Sequence, residues 1–239
     1  MRGGLRVVAA GAVLVVLVAG CGGGRTSTGE PAGPPGSRAS GQPSTATTVA
    51  HAGLEVAEVG FSTLPGAMTS TFAVVVRNPD PSQMATGVAV TITFLDVNGG
   101  VVTTSQAEIG AILPDARGAA ANGVNAPGAV TANATATAAT WKAPPTPIGA
   151  VTVSDTTSED EGGVKTSMSG VATSTWSTER DVQVLALLRD GAGVLKGGTF
   201  FAALSLPANG SKSFSLFTMG TVPSTWTPEY VAVYTARLR

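Results

Sequence analysis

Hydrophobic and polar residues alternate along most of the chain after residue 54, and alternation with a period of two predicts β-strands. The clearest run has four apolar residues on one face, namely Val88, Val90, Ile92 and Phe94. Phe72, Val74 and Val76 mark a second strand in the same way. The alternation changes phase near Ala57, which predicts a β-bulge there. No amphipathic run rich in strong helix formers interrupts this pattern, so the sequence predicts an all-β protein.

The second half of the chain repeats the first half. Segment 88–99 recurs as segment 182–193 at a constant offset of 94 residues, and the shared residues are Val88 and Val182, Val90 and Val184, Asp96 and Asp190, and Gly99 and Gly193. Deleting the equivalent of Gly100 changes the offset to 93, at which residues 113–114 match residues 206–207. The Asn-Gly pair within 96–99 predicts a tight hairpin turn in the first copy.

Residues 141–147 contain three prolines, which exclude a continuous strand and favour an extended connector between the copies. We therefore expect one β-sandwich over residues 52–143 and another over residues 148–239. Each unit has a length of about 90 residues, which is usual for a seven-stranded immunoglobulin-like sandwich. The predicted fold class is all-β, with two tandem immunoglobulin-like sandwiches after a signal peptide and a disordered tether.

The N-terminal sequence is typical of an export signal. Arg2 and Arg6 precede an uncharged apolar stretch, residues 7–18, which is too short to span a bilayer. The stretch ends in Val-Ala-Gly-Cys, which resembles the lipobox of bacterial lipoproteins. That resemblance implies removal of residues 1–20 and acylation of Cys21. We expect a lipid anchor on the outer face of the bacterial plasma membrane.

Residues 21–51 are rich in Gly, Pro, Ser and Thr and poor in apolar side chains, so we expect a disordered tether after the acylated cysteine. Without residues 1–20 the chain has 12 Lys and Arg against 15 Asp and Glu. This mildly acidic balance gives no electrostatic reason to bind nucleic acid. Because Cys21 is the only cysteine, stability must come from the apolar core rather than from disulfides.

Segments in both copies resemble the FxLYD family of bacterial envelope domains. The first copy carries the match in Asn78, in residues 92–96, in Gly99 and in Leu113-Pro114. The second copy carries it in residues 186–190, in Gly193 and in Leu206-Pro207. Neither copy has the Phe and Tyr of the family name. The resemblance implies an immunoglobulin-like sandwich and transfers no catalytic residue, because the family shares no enzymatic activity.

Candidate catalytic chemistry is sparse. His51 is the only histidine, and its place between the tether and the first strand favours a solvated linker residue. The acidic run 158–161 lacks the spacing of a calcium loop and is interpreted as the tip of a hairpin. Asp96 and Asp190 are expected to cap turns. The sequence therefore predicts no catalytic residue, no metal site, no cofactor and no enzymatic activity.

Aromatic residues near the C-terminus leave two interpretations open. Trp226, Tyr230 and Tyr234 could form a face that binds a glycan or a protein partner. Alternatively, Trp176 and Trp226 close the ends of the second sandwich. We expect a lipid-anchored, non-catalytic interaction or assembly module with an unknown envelope protein or glycan as partner. The alternative is a lipoprotein that captures a lipid, glycan or peptide for a transporter or a cell-wall enzyme.

Overall fold

The computed structural model describes residues 53–235, which fold entirely as β-strands and connecting turns. The predicted signal peptide, Cys21, the tether and His51 lie outside the described residues. The strands are β1 (Glu55–Thr63), β2 (Ser70–Arg77), β3 (Met84–Leu95), β4 (Val101–Ile112), β5 (Arg117–Val124), β6 (Thr131–Lys142), β7 (Val151–Glu161), β8 (Lys165–Ser174), β9 (Arg180–Arg189), β10 (Leu195–Gly198), β11 (Ala202–Leu206), β12 (Ser211–Met219) and β13 (Thr227–Tyr234). The all-β class is confirmed.

The period-two pattern places the apolar residues where the sequence predicted them. In β3, the side chains of Val88, Val90, Ile92 and Phe94 are fully buried. The pairing of β1 with β2 shifts register between Val56 and Glu58, so the predicted bulge near Ala57 is confirmed. An extra residue at this point moves the inward face from Val56 to Val59 and Phe61.

The strands form three antiparallel sheets. The first outer sheet has the order β1-β2-β5, and the second outer sheet has the order β12-β8-β7. A central sheet of seven strands has the order β10-β9-β13-β4-β3-β6, and β11 also pairs with β9. Both halves of the chain contribute strands to the central sheet, which packs against the two outer sheets.

Strand β9 contributes side chains to two cores, one on each face of the central sheet. Its residues Leu185 and Leu187 belong to the core beneath the first outer sheet. The alternating residues Val182, Val184, Ala186 and Leu188 belong to the core beneath the second outer sheet. Successive side chains of a strand point to opposite faces, so an uninterrupted apolar run suits a strand that is buried on both sides. The two predicted sandwiches are thus present and share the central sheet.

The two copies have the same strand connectivity. Strands β1, β2 and β5 of the first outer sheet correspond to β7, β8 and β12 of the second, and β3 and β6 correspond to β9 and β13. Strand β4 corresponds to β10 and β11 together, because a loop at residues 199–201 interrupts the second copy. The first copy has six strands rather than the expected seven, since the chain leaves β6 for the second outer sheet.

The hairpin turns of the two copies have matching hydrogen bonds. Asp96 Oδ1 accepts from the backbone N–H groups of Asn98 and Gly100, each at 2.8 Å. Asp190 Oδ1 accepts from Ala192 and Val194, each at 3.0 Å. Both turns therefore keep the offset of 94 through residue 100, and the predicted change of offset at Gly100 is absent from the structure.

The two copies meet within the central sheet and also between β10 and the first outer sheet. Tyr234 of β13 pairs with Ala111 of β4, and this contact joins the second copy to the first. Thr71 of β2 and Gly198 of β10 exchange two hydrogen bonds, one of them from Gly198 N to Thr71 Oγ1 at 3.1 Å. Residues 53–235 belong to one compact unit. The domain limits 52–143 and 148–239 remain a prediction, with residues 143–150 connecting β6 to β7.

Candidate functional site

The predicted aromatic face lies against the second core. Tyr230 and Tyr234 are half-buried on the same side of β13, and Trp226 precedes this strand. The Tyr234 hydroxyl accepts a hydrogen bond from Trp176 Nε1 at 3.1 Å, and the two rings meet edge to face at 5.8 Å. Burial raises the pKa of both tyrosines. These rings have a packing role, and a role in binding stays a prediction.

Trp176 closes one end of the second sandwich. Its side chain is fully buried, and the Arg180 guanidinium lies 4.4 Å from the ring centroid. Gly149 approaches the ring so closely that an added Cβ would lie 2.7 Å from Trp176 Cγ. This contact requires glycine at position 149. The structure therefore places Trp176 in the framework of the fold rather than on a binding surface.

A different group of apolar side chains is partly exposed to solvent, with Phe200 half-buried beside Gly123. Phe200 stacks on Phe217 with 5.1 Å between the ring centroids, and Met219 follows on the same side of β12. Phe217 is 40% exposed and Met219 is 51% exposed. Lys165 Nζ lies 6.0 Å from the Phe217 centroid. We call Phe200, Phe217 and Met219 the apolar patch.

The interruption between β10 and β11 brings Phe200 next to β12. Thr199 is fully buried, donates its N–H to Ala186 O at 2.9 Å and accepts from Ala186 N through Oγ1 at 2.8 Å. These two bonds substitute for ladder pairing, so the next two residues leave the sheet. The Phe200 N–H then donates to Phe217 O at 3.2 Å, which ties the loop to β12.

Sequence reasoning missed the apolar patch, although a signal was present. The residues Phe214, Leu216 and Thr218 alternate along β12 and face the second core. The same alternation assigns Phe217 and Met219 to the opposite, solvent-facing side. An aromatic residue on the polar face of a strand is the observation that would have identified the surface.

The predicted hairpin is present, but the acidic run 158–161 belongs to the end of β7, and the turn itself is at residues 162–164. Strands β7 and β8 pair through Glu161 and Lys165, and the side chains of these residues form an ion pair at 2.9 Å. The Gly163 N–H donates to Asp160 Oδ1 at 3.0 Å, so this carboxylate stabilises the turn. Within residues 53–235, no three His, Cys, Asp or Glu side chains converge in a group that could hold a metal ion.

Arg189 links three strands through two carboxylates. Its guanidinium binds Glu58 of β1 with two N–H donors, one of them Nη2 to Oε1 at 3.0 Å, while Nε donates to Glu229 of β13 at 2.6 Å. The bond from Arg189 lowers the pKa of Glu58. Because all the charges are paired within the protein, this cluster serves to fasten β1 to the central sheet.

A small groove opens where the two copies meet. It has a volume of about 190 Å³, and it is lined by Gln106, Ala107 and Glu108 of β4, Ala120, Ala121 and Asn122 of β5, Gln183 and Leu185 of β9, and Phe201. The lining combines amide groups, one carboxylate and one exposed aromatic ring. This volume is below the roughly 300 Å³ at which small-molecule sites usually begin.

No protein-family model matches the chain, and no curated protein sequence matches it. Among solved structures, the exo-chitosanase of Amycolatopsis orientalis is 12% identical over 67% of this chain and 24% of its own length, with a TM-score of 0.26. Red sea bream transglutaminase is 11% identical over 76% of this chain and 31% of its own length, with a TM-score of 0.27. The chain spans less than a third of either protein. TM-scores this low define neither a family nor an activity.

Among residues 53–235 no helix has the length and apolar character needed to cross a bilayer.

Proposed function

We propose that the protein is a lipid-anchored, extracytoplasmic envelope protein whose β-sandwich unit is a non-catalytic interaction or assembly module. Two groups of observations support this proposal. The N-terminal sequence supports the anchor, and the apolar patch supports the interaction. The resemblance to FxLYD envelope domains is consistent with the same location.

The support for the anchor is chemical. A single cysteine follows a short apolar stretch and small residues, as lipoprotein processing requires. One acyl chain gives only marginal membrane binding, whereas two or three chains make attachment stable. We therefore place the mature protein at the outer face of the plasma membrane, with residues 21–51 separating the folded unit from the lipid.

The apolar patch is the main observation that supports an interaction module. Phe200, Phe217 and Met219 form a contiguous apolar surface beside the acidic end of β7. Large contiguous apolar patches with a polar rim mark protein interaction sites, and these three residues would contribute to one. The carboxylates Asp96, Asp190 and Glu58 are held in turns and in the Arg189 cluster, where they stabilise the fold.

A second candidate function is ligand capture for a transporter or a cell-wall enzyme. The groove between the copies favours it, because the Gln106, Asn122 and Gln183 side chains surround a small volume beside Phe201. Amide groups next to an aromatic ring suit a neutral polyhydroxylated ligand. The small volume makes the interaction module the better-supported function.

Site-specific photocrosslinking in intact cells tests the proposal. A photoreactive phenylalanine analogue at Phe217 should give a discrete adduct with one envelope component. The same analogue at Val97, which is 81% exposed on the first hairpin, is the matched control and should give no adduct. Equal labelling from both positions would contradict a specific patch. Product formation that is abolished by changing one Asp or Glu would overturn the non-catalytic proposal.

A further inference from the structure

In the part of the chain that the structure describes, strand β6 pairs with a neighbouring strand on one side only. It pairs with β3 from Met84↔Lys142 to Leu95↔Thr131 without any shift of register. No other strand of the described chain forms a ladder with β6. Strand β1 lies close to β6 but forms no ladder with it. From Thr131 to Thr140, ten residues of extended backbone correspond to about 34 Å of edge that meets no other strand among the described residues.

The other sheet edges of the described chain have features that block pairing. Strand β1 has a bulge and two glutamates, and β7 has a bulge and an acidic end. The edge formed by β10 and β11 is broken by the loop at residues 199–201. Strand β12 receives the Phe200 N–H, and β5 is largely buried. Natural sheets use bulges and charges of this kind to prevent association between edges.

Strand β6 has none of these features. Its sequence alternates Ala with Thr or Asn, contains no proline and has no charged residue before Lys142 at its end. Thr131, Asn133, Thr135 and Thr137 face solvent, and the intervening alanines pack against the first core. A long, regular and uncharged edge is the kind of strand that accepts another strand.

The second copy shows what occupies the equivalent position. Strand β13 corresponds to β6, and its matching edge meets β4 at Tyr234↔Ala111 in antiparallel pairing. At this one residue pair, therefore, a strand of the other copy meets that edge. In the first copy, no described strand meets the equivalent edge of β6.

We propose that β6 pairs antiparallel with β6 of a second copy of this chain, joining two central sheets across a twofold axis. If the axis passes through Ala136, Thr135 of one molecule lies opposite Thr137 of the other on the solvent-facing side. Ala134 then lies opposite Ala138 and Ala136 opposite Ala136, so both sandwiches keep their apolar faces on the same side of the joined sheet. Cross-strand Thr pairs are favourable, and no like charges oppose each other. The contact is isologous and closes as a dimer.

Thiol crosslinking of the full chain tests this pairing directly. Thr137→Cys should yield a covalent dimer with a short thiol-reactive crosslinker, because residue 137 lies beside the twofold axis. Thr152→Cys, on the exposed face of β7, is the matched control and should remain monomeric on a denaturing gel. The unsubstituted chain measures any contribution from Cys21. Failure of Thr137→Cys to crosslink above the Thr152→Cys level would overturn the proposal.

Sedimentation of the full chain in density-matched detergent gives a second readout. The unsubstituted protein should have the mass of two copies, and the double variant Thr135→Lys, Thr137→Lys should have half that mass because four lysines would meet across the axis. Thr152→Lys should remain dimeric. A monomeric unsubstituted protein, or a dimer that persists in the double variant, would overturn the proposal, even if β6 captured an added peptide. The proposed interaction module does not depend on either result.

Discussion

At the scale of single residues, the first core depends on a cluster of three phenylalanines. Phe94 is fully buried, and its ring lies 5.1 Å from Phe61 and 5.7 Å from Phe72. We expect Phe94→Ala to lower the free energy of unfolding by about 3–5 kcal/mol, the usual cost of emptying such a site. Chemical denaturation measures the change, and Val97→Ala on the exposed hairpin should change stability by less than about 0.5 kcal/mol. A similar small effect for Phe94→Ala would contradict the assigned strand phase.

The ion pair of Glu58 with Arg189 makes the stability of the folded protein depend on pH. Since the Arg189 bond lowers the pKa of Glu58 in the folded protein, the stabilisation is present above its ordinary value of 4.5 and is lost as the pH falls through the lowered pKa. The stability difference between the unsubstituted protein and Glu58→Gln should therefore be constant at neutral pH and shrink below about pH 4.5. Glu55→Gln, in an exposed pair with Arg77, is the control and should show little difference. A gap that widens on acidification would contradict the assigned pairing.

At the scale of elements, β10 of the second copy packs closely on the first outer sheet because glycine occupies position 198. A Cβ at Gly198 would lie 2.5 Å from Ala121 Cβ and 3.0 Å from Ala186 O. We expect Gly198→Ala to reduce stability by about 1–3 kcal/mol, because the packed strands must separate to admit it. Gly191→Ala, whose added Cβ would have its closest contact at 3.7 Å, is the control for the loss of glycine. Equal melting temperatures for the two variants would show that β10 does not pack as described.

The sequence predicted individual elements better than their assembly. Alternation identified β3 and the bulge in β1, and the Asn-Gly turn after β3 followed from local backbone preferences. The two-faced burial of β9 was harder to foresee, because Leu185 and Leu187 reach a core formed largely by the first copy. The position of Phe200 in the apolar patch depends on the break between β10 and β11, the two strands that correspond to β4. At this break Thr199 makes the two hydrogen bonds with Ala186 that a paired strand would otherwise make. The burial of β9 on both faces and the position of Phe200 arise from long-range pairing, which a local pattern does not encode, whereas the exposure of Phe217 and Met219 follows from the alternation along β12.

At the scale of the whole molecule, the shared central sheet predicts how the chain responds to cleavage. The connector at residues 143–150 is largely exposed and joins strands of different sheets. Protease should cut there, yet the two fragments should co-elute under native conditions, because β13 remains paired with β4 and β10 remains packed on β2. Denaturant should separate them. Fragments that separate without denaturant would show two independent domains.

The lipid anchor is the central claim about the whole molecule, since it decides where every proposed contact takes place. Metabolic labelling of cells with a fatty-acid analogue, followed by membrane fractionation, tests it most directly. The unsubstituted protein should incorporate label and stay with the membrane, and Thr26→Ala should behave identically because it leaves the processing site intact. Cys21→Ala should lose the label and leave the membrane fraction or accumulate as a longer precursor. Undiminished label and unchanged partitioning in Cys21→Ala would contradict the account.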